Sequence, residues 1–189
     1  MDIVFLGDSL TFGYGVHKED SWVNRICANC NLSYLNKGVN GDTTVGMLSR
    51  VWKDVINIKP RFCFILAGTN DFLMDRPYKT ILENIVLLHK ECEDNNIKTT
   101  ILIPPFIDKN KSINLWSSYP DYTQINKSII NLKNELLNIF DKIKIIDLYS
   151  ITEKAYFSGE DIYIDGIHLN EKGHMIIAEY IINKLKQKS

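Results

Sequence analysis

Short β-rich runs that alternate with longer helical patterns predict an α/β domain: a five-stranded parallel sheet with helices on both faces. A second observation agrees. Polar, glycine-containing clusters follow three of the runs, where a parallel sheet gathers its strand ends. The chain has 189 residues, a length that suits one domain spanning 1–189.

The first strand is expected at Asp2–Leu6, where Ile3-Val4-Phe5-Leu6 form an apolar run ended by Gly7. A helix follows at Trp22–Asn31, then a strand at Tyr34–Val39 and a helix at Thr44–Ile56. The third strand is Phe62–Leu66, the next helix Lys79–Asn95, and the fourth strand Thr99–Ile103. Pro104–Pro120 has no clear period; long loops inside compact domains tend to be functional, so it is a candidate lid or substrate wall as well as an ordinary surface excursion. The helix Asp121–Phe140 has the clearest period. Tyr122, Ile125, Ile129, Leu132, Leu136 and Phe140 recur every three or four residues and form one stripe for packing on the sheet. The fifth strand is Lys144–Ile146, and the last helix, Glu171–Lys186, is N-capped by Asn170 and buries Ile177, Ile181 and Leu185.

Composition narrows the function classes. With 45% hydrophobic and 24% charged residues, the chain reads as an ordinary globular protein. Its 22 basic and 23 acidic residues leave a net charge of −1, which gives no footprint for nucleic acid and no polybasic surface for membranes. No apolar run is long enough to span a bilayer. Met1-Asp2 enters the first strand without a basic leader or cleavage site, so the expected location is cytoplasmic.

Cys27-Ala-Asn-Cys30 invites a metal or redox reading, but no second Cys or His pair stands at matching spacing. It reads as two unlinked helix residues, and neither a metal nor another cofactor is expected.

Chemistry concentrates at the strand ends. Gly7-Asp8-Ser9 closes the first strand, Asn40-Gly41-Asp42 follows the second, and Gly68-Thr69-Asn70-Asp71 follows the third. In strand order 2-1-3-4-5, Ser9 would lie between Gly41 and Asn70. A serine hydroxyl needs a base to become a nucleophile, and Asp165-Gly166-Ile167-His168 offers one. On a tight turn, a spacing of three lets the carboxylate reach imidazole Nδ1 and leaves the other nitrogen for the serine proton. The Ser9 and Gly41 backbone N–H groups and the Asn70 amide are candidate oxyanion donors. Alone, Ser9 would read as a helix N-cap and Gly41 as half of an Asn-Gly turn; beside the Asp165–His168 pair the catalytic reading prevails. Asp8 and Asp71 read as structural, His17 and His89 as solvent-facing. His174, six residues past His168, lies on a different helix face, which argues against a shared metal.

Phe72, Leu73 and Met74 after Asn70, with Phe106 and Trp116 in the aperiodic stretch, are possible substrate-binding residues; Tyr156 and Phe157 raise the same question.

The segments Gly-Asp-Ser9-Leu-Thr-Phe-Gly, Asn-Gly41-Asp-Thr-Thr, Gly-Thr-Asn70-Asp and Asp165-Gly-Ile-His168-Leu-Asn resemble, in order, the blocks of the SGNH hydrolases, or GDSL lipase/esterase family. The resemblance implies a flavodoxin-like α/β/α sandwich and metal-free esterase or acylhydrolase activity. It also implies Ser9 as nucleophile, His168 as base with Asp165 as its partner, and Ser9, Gly41 and Asn70 as the oxyanion hole. The expected partner is a small-molecule ester with a short-to-medium acyl group. Carbohydrate O-acetylesters, thioesters and lysophospholipids are alternatives for the same site. A non-catalytic binding module is the reading of another class, although neither phosphate-binding glycine fingerprint occurs. Oligomeric state cannot be read from these residues.

Overall fold

The computed structural model describes residues 1–186. Five parallel strands form one sheet: β1 (Ile3–Gly7), β2 (Tyr34–Gly38), β3 (Phe62–Leu66), β4 (Lys98–Ile103) and β5 (Ile145–Asp147). Their order is β2-β1-β3-β4-β5, as expected, and every strand falls within one residue of its expected span. The helices are α1 (Ser9–Phe12), α2 (Trp22–Cys30), α3 (Thr44–Asp54), α4 (Thr69–Leu73), α5 (Tyr78–Asp94), α6 (Lys109–Leu115), α7 (Tyr122–Ile139), α8 (Leu148–Phe157) and α9 (Glu171–Lys186).

Strand side chains alternate between the two faces, so each strand feeds two cores. On one face Val4, Leu6, Ile65 and Ile101 pack with Met47 of α3, Ile85 of α5 and Ile129 of α7. On the other, Phe5, Phe64 and Leu102 pack with Trp22 of α2, Leu148 of α8 and Ile177 of α9. The result is the three-layer sandwich. The α7 stripe is buried from Tyr122 through Leu136, while Phe140 lies just past the helix and packs at the core's edge.

Side-chain caps set the helix starts. Ser21 accepts from the Asn24 N–H before α2 and Thr43 from the Gly46 N–H before α3. Asp121 accepts from two N–H groups before α7, and Asn170 Oδ1 accepts from the Gly173 N–H at 3.0 Å before α9. Each satisfies a donor that the first helical turn leaves open.

Four helices escape a reading of periodicity: α1 and α4, of four and five residues, are too short to show a period, and α6 and α8 are hidden for other reasons. Helix α8 begins directly on β5, because Asp147 ends the strand and caps the helix through the Ser150 N–H, with no turn residues to announce it. Helix α6 occupies the centre of the stretch expected to be aperiodic, started by Asp108, which accepts from the Lys111 N–H. His17 is exposed as expected, but His89 is not solvent-facing. Its ring meets Phe140 edge-on at 4.6 Å and shares a hydrogen bond with the Thr99 hydroxyl, because the end of α5 packs over the start of β4. Cys27 and Cys30 stand unlinked on α2, and burial pushes the Cys27 thiol up to about 12.

Candidate active site

Register brings the site together. Gly7 at the end of β1 pairs with Gly38 of β2 and Leu66 of β3, so three chain segments leave the sheet at one level. Ser9 is the first residue of α1, and the preceding residue, Asp8, caps that turn by accepting the Leu10 N–H at 2.9 Å. Ser9 is thereby fixed on a short rigid turn, and its backbone N–H belongs to the set that a first helical turn leaves without an intrahelical partner.

The Asp165–His168 turn is closed independently. The Ile164 N–H donates to the His168 carbonyl at 2.8 Å, and Tyr163 and Leu169 form an antiparallel bridge. Within it Asp165 Oδ1 accepts the N–H groups of Ile167 at 3.0 Å and His168 at 2.8 Å. Its Oδ2 lies 2.7 Å from His168 Nδ1. Burial opposes charge on Asp165, but the hydrogen bonds from the His168 ring and the backbone outweigh it and hold the carboxyl below its ordinary value. An ionised carboxylate at Nδ1 favours the proton there, which turns the Nε2 lone pair outward. Nε2 lies 3.0 Å from Ser9 Oγ.

Gly166 makes this turn possible. Its φ is +94°, and a Cβ would lie 2.4 Å from the Ser112 nitrogen and 2.6 Å from the Asp108 carbonyl. That close approach lets the Asp108 N–H donate to the Gly166 carbonyl at 2.9 Å. Lys111 Nζ adds bonds to the Tyr163 carbonyl at 2.6 Å and to Asp161 at 2.8 Å. Asp108 and Lys111 therefore bond the middle of the 104–120 stretch to the histidine turn.

The other face of Ser9 carries the amide groups. Gly41 has φ +75° with open space where a Cβ would project. Asn70 Nδ2 donates to the Asp42 carbonyl at 2.8 Å and lies 3.4 Å from Asp8 Oδ2. Asp71 is structural: it accepts the Thr44 N–H and hydroxyl, both at 2.8 Å, and pairs with Arg76 at 3.1 Å. That joins the Asn70 turn to the start of α3. Asp8 is fully buried, and desolvation pushes its carboxyl up to about 7.

Around Ser9 and His168 lies a cavity of about 170 Å³, with Asn40, Gly41, Thr69 and Asn70 on one side. Tyr14, Leu73, Trp116 and Ile167 complete its walls. Larger hollows exist: about 390 Å³ near Phe72 and Arg76, and about 640 Å³ by Ile3 and Phe62 at the opposite sheet end. Neither includes a serine hydroxyl bonded to a histidine that a carboxylate holds on its other nitrogen, so chemistry rather than volume selects the smaller cavity.

Of the aromatic and apolar residues singled out from the sequence, Leu73 and Trp116 border this cavity. Phe72 is buried in the core and borders the neighbouring hollow, and Met74 is exposed beyond α4. Phe106 packs on Tyr149, Tyr156 and Phe157, with ring centroids 5.1 to 5.9 Å away, so those aromatics form a cluster of their own. Tyr14 was not singled out. Its signal was available in the Gly13-Tyr14-Gly15 turn five residues after Ser9, which folds the ring back over the histidine. Among the described residues no His, Cys, Asp or Glu side chains gather as metal ligands would, and no helix is long and apolar enough to cross a membrane.

The chain is similar to known proteins. Residues 5–176 match the model of the GDSL-like Lipase/Acylhydrolase family. The chain is 32% identical over 123 residues to an uncharacterized lipoprotein, YqeF, of Bacillus subtilis (strain 168), a match covering 58% of this chain and 51% of that relative. It thus spans about half of YqeF. It is 25% identical to an arylesterase of Vibrio mimicus, covering 97% of this chain and 87% of the relative. Identity to an acetylxylan esterase of Geobacillus stearothermophilus is also 25%, over 80% of this chain and 71% of the relative. Among solved structures, a member of the lipolytic protein G-D-S-L family from Veillonella parvula DSM 2008 shares the fold. Its TM-score is 0.83 at 22% identity, with 97% of each chain covered. With its fold and the family match running from β1 into α9, the chain belongs to the GDSL-like lipase/acylhydrolase family, a family of ester hydrolases.

Proposed function

We propose that the chain is a serine esterase that cleaves small carboxylic esters through an acyl-enzyme on Ser9. One observation carries this reading: His168 bridges Asp165 and Ser9, with Nδ1 2.7 Å from the carboxylate and Nε2 3.0 Å from the hydroxyl. Ser9 Oγ attacks the ester carbonyl carbon as Nε2 takes its proton. The tetrahedral oxyanion is met by the N–H groups of Ser9 and Gly41 and by Asn70 Nδ2, which exchanges its long 3.4 Å bond to Asp8 for the oxyanion and keeps its bond to Asp42. Collapse breaks the ester C–O bond, and His168 returns its proton to the leaving oxygen. A water deprotonated by the same nitrogen then attacks the acyl carbon; the Ser9 Oγ–carbon bond breaks, His168 returns the proton to Oγ, and the acid leaves. Asp165 holds the tautomer and offsets the positive imidazolium.

The size of the cavity supports a short acyl group. About 170 Å³ is below the roughly 300–1,000 Å³ of sites that enclose a whole drug-sized ligand, so most of a substrate would lie outside it. Long-chain lysophospholipids fit this reading least well.

The Ser9→Ala variant tests it. Hydrolysis of 4-nitrophenyl acetate is expected to fall at least about a thousandfold with an unchanged circular dichroism spectrum, and a fluorophosphonate should label wild type at Ser9 only. Undiminished turnover in that variant would sink the proposal, and failure to label at all would favour a non-catalytic binding module.

A further inference from the structure

We propose that Tyr14 and Trp116, the two half-exposed rings flanking His168, form a clamp for the alcohol half of the substrate and select esters whose leaving group is a ring with a broad apolar face. This inference rests on Ser9 and His168 acting as nucleophile and base.

Proton transfer fixes which half of the substrate goes where. The departing oxygen receives its proton from Nε2 and must come within about 3 Å of it. The acyl oxygen must instead point at Gly41 and Asn70, on the other side of Ser9. Groups lying against the imidazole therefore face the alcohol. The Tyr14 ring centroid is 4.5 Å from that of His168, inclined at 44°, and the Trp116 centroid is 5.1 Å away, inclined at 59°. Tyr14 remains 45% exposed and Trp116 49% exposed, so both keep apolar face available after packing on the base. Aromatic faces bind other flat rings and the CH faces of sugars, and a chain alcohol of few atoms covers much less of them.

The backbone of each ring residue is also tied to the site, that of Tyr14 directly to Ser9 and that of Trp116 through α6. The Tyr14 N–H donates to the Ser9 carbonyl at 3.1 Å. The Trp116 N–H donates to the Ser112 carbonyl at 2.9 Å, at the end of the α6 segment bonded to the histidine turn. The clamp is thus preorganised with respect to both the nucleophile and the base, and a ring held there loses less freedom at the moment of reaction.

The same acetyl group on different alcohols separates this from mere shielding of the base. The readout is the kcat/KM ratio of phenyl acetate to ethyl acetate, with an acetylated xylopyranoside as a third substrate. In Trp116→Leu and Tyr14→Leu the phenyl-to-ethyl ratio is expected to fall about tenfold, mainly through KM, and Trp116→Phe should recover most of it. Whichever of the phenyl and xylopyranoside esters loses more identifies the ring that the clamp fits. A ratio equal to wild type in both Leu variants would overturn the proposal, because rings that only steady His168 affect every ester alike. A measurement on wild type guards against a variant that fails to fold: phenol should inhibit competitively at concentrations where ethanol does not. Equal inhibition by both alcohols would also overturn the clamp. Fluorophosphonate labelling of Ser9 tests the underlying mechanism separately, so the two failures are distinguishable.

Discussion

The Arg50 guanidinium donates to the carbonyl oxygen of Gly7 at 3.0 Å, so α3 grips the last residue of β1, two positions before Ser9. The same side chain bonds to Asp42 at 2.7 Å, beside Gly41, and to Asp54 at 2.9 Å. One planar fork therefore ties together the two segments that carry Ser9 and Gly41. Lysine keeps the charge but cannot make these bonds together.

Replacing Arg50 with Met removes its bonds to two largely buried carboxylates, Asp42 and Asp54, and to the carbonyls of Gly7 and Lys37, while Asp54 keeps Lys37 at 3.1 Å. The expected loss is about 2–3 kcal/mol of unfolding free energy by urea titration. With the two segments free to drift, kcat for 4-nitrophenyl acetate is expected to fall about tenfold. Arg50→Lys should fall between. A Met variant with wild-type stability and turnover would show that strand pairing alone sets the geometry.

Two glycines with positive φ should respond differently to alanine. Gly166→Ala places a Cβ against the Ser112 nitrogen and the Asp108 carbonyl, backbone that cannot yield without separating α6 from the histidine turn. A loss of at least about 2 kcal/mol is expected, with activity lost together with Trp116 placement. Gly41→Ala meets open space and should lose only about 1 kcal/mol, from backbone strain. Thermal melts of the two variants check the order, and a less stable Gly41→Ala would contradict it.

These positions show how much was legible beforehand. The strand ends were readable because glycine and polar residues interrupt apolar runs where the chain must turn, and three such interruptions in a parallel sheet share one edge. The Asp165–His168 spacing was readable because three residues is the reach of a tight turn. What was hidden depends on contacts remote in sequence. The Arg50 fork spans 43 positions to Gly7, and the placement of α6 depends on its bonds to residues 161–166. Phe72 and Phe106 looked like pocket residues because hydrophobicity alone does not say which way a side chain points. Helix α8 lacked a signal because Asp147 serves both as strand end and as cap.

Asp8 should make the protein less stable as pH rises. Desolvation first, with repulsion from Asp42 and Asp71 adding to it, places its folded pKa at about 7 against an ordinary 3.8. Between these values the folded state binds the proton that the unfolded state has lost. Its contribution is full below about 4 and is lost as pH climbs through 7, by up to about 4 kcal/mol. Asp8→Asn keeps an acceptor for the Leu10 N–H and removes the titration. Urea midpoints from pH 4.5 to 8 should show the variant gaining on wild type as pH rises; parallel curves would mean that Asp8 stays charged throughout.

His174 should act in the opposite direction. Burial, aided by the nearby Arg25, lowers its pKa from 6.5 to about 4, and its Nδ1 accepts the Trp22 N–H at 3.2 Å, fastening α9 to α2. That bond needs an unprotonated Nδ1. The unfolded chain binds a proton at pH values where the folded state refuses it, so this contribution is complete above about 6.5 and lost as pH falls through 4. Its size is on the order of 3 kcal/mol. His174→Gln keeps an acceptor without the titration and should unfold less readily, relative to its own neutral-pH stability, when acidified from pH 7 to 4.5. Because the Asp8 contribution grows over the same interval, Asp8→Asn should steepen the acid loss and the double variant should flatten it. A double variant with the full acid slope would place the responsible group elsewhere.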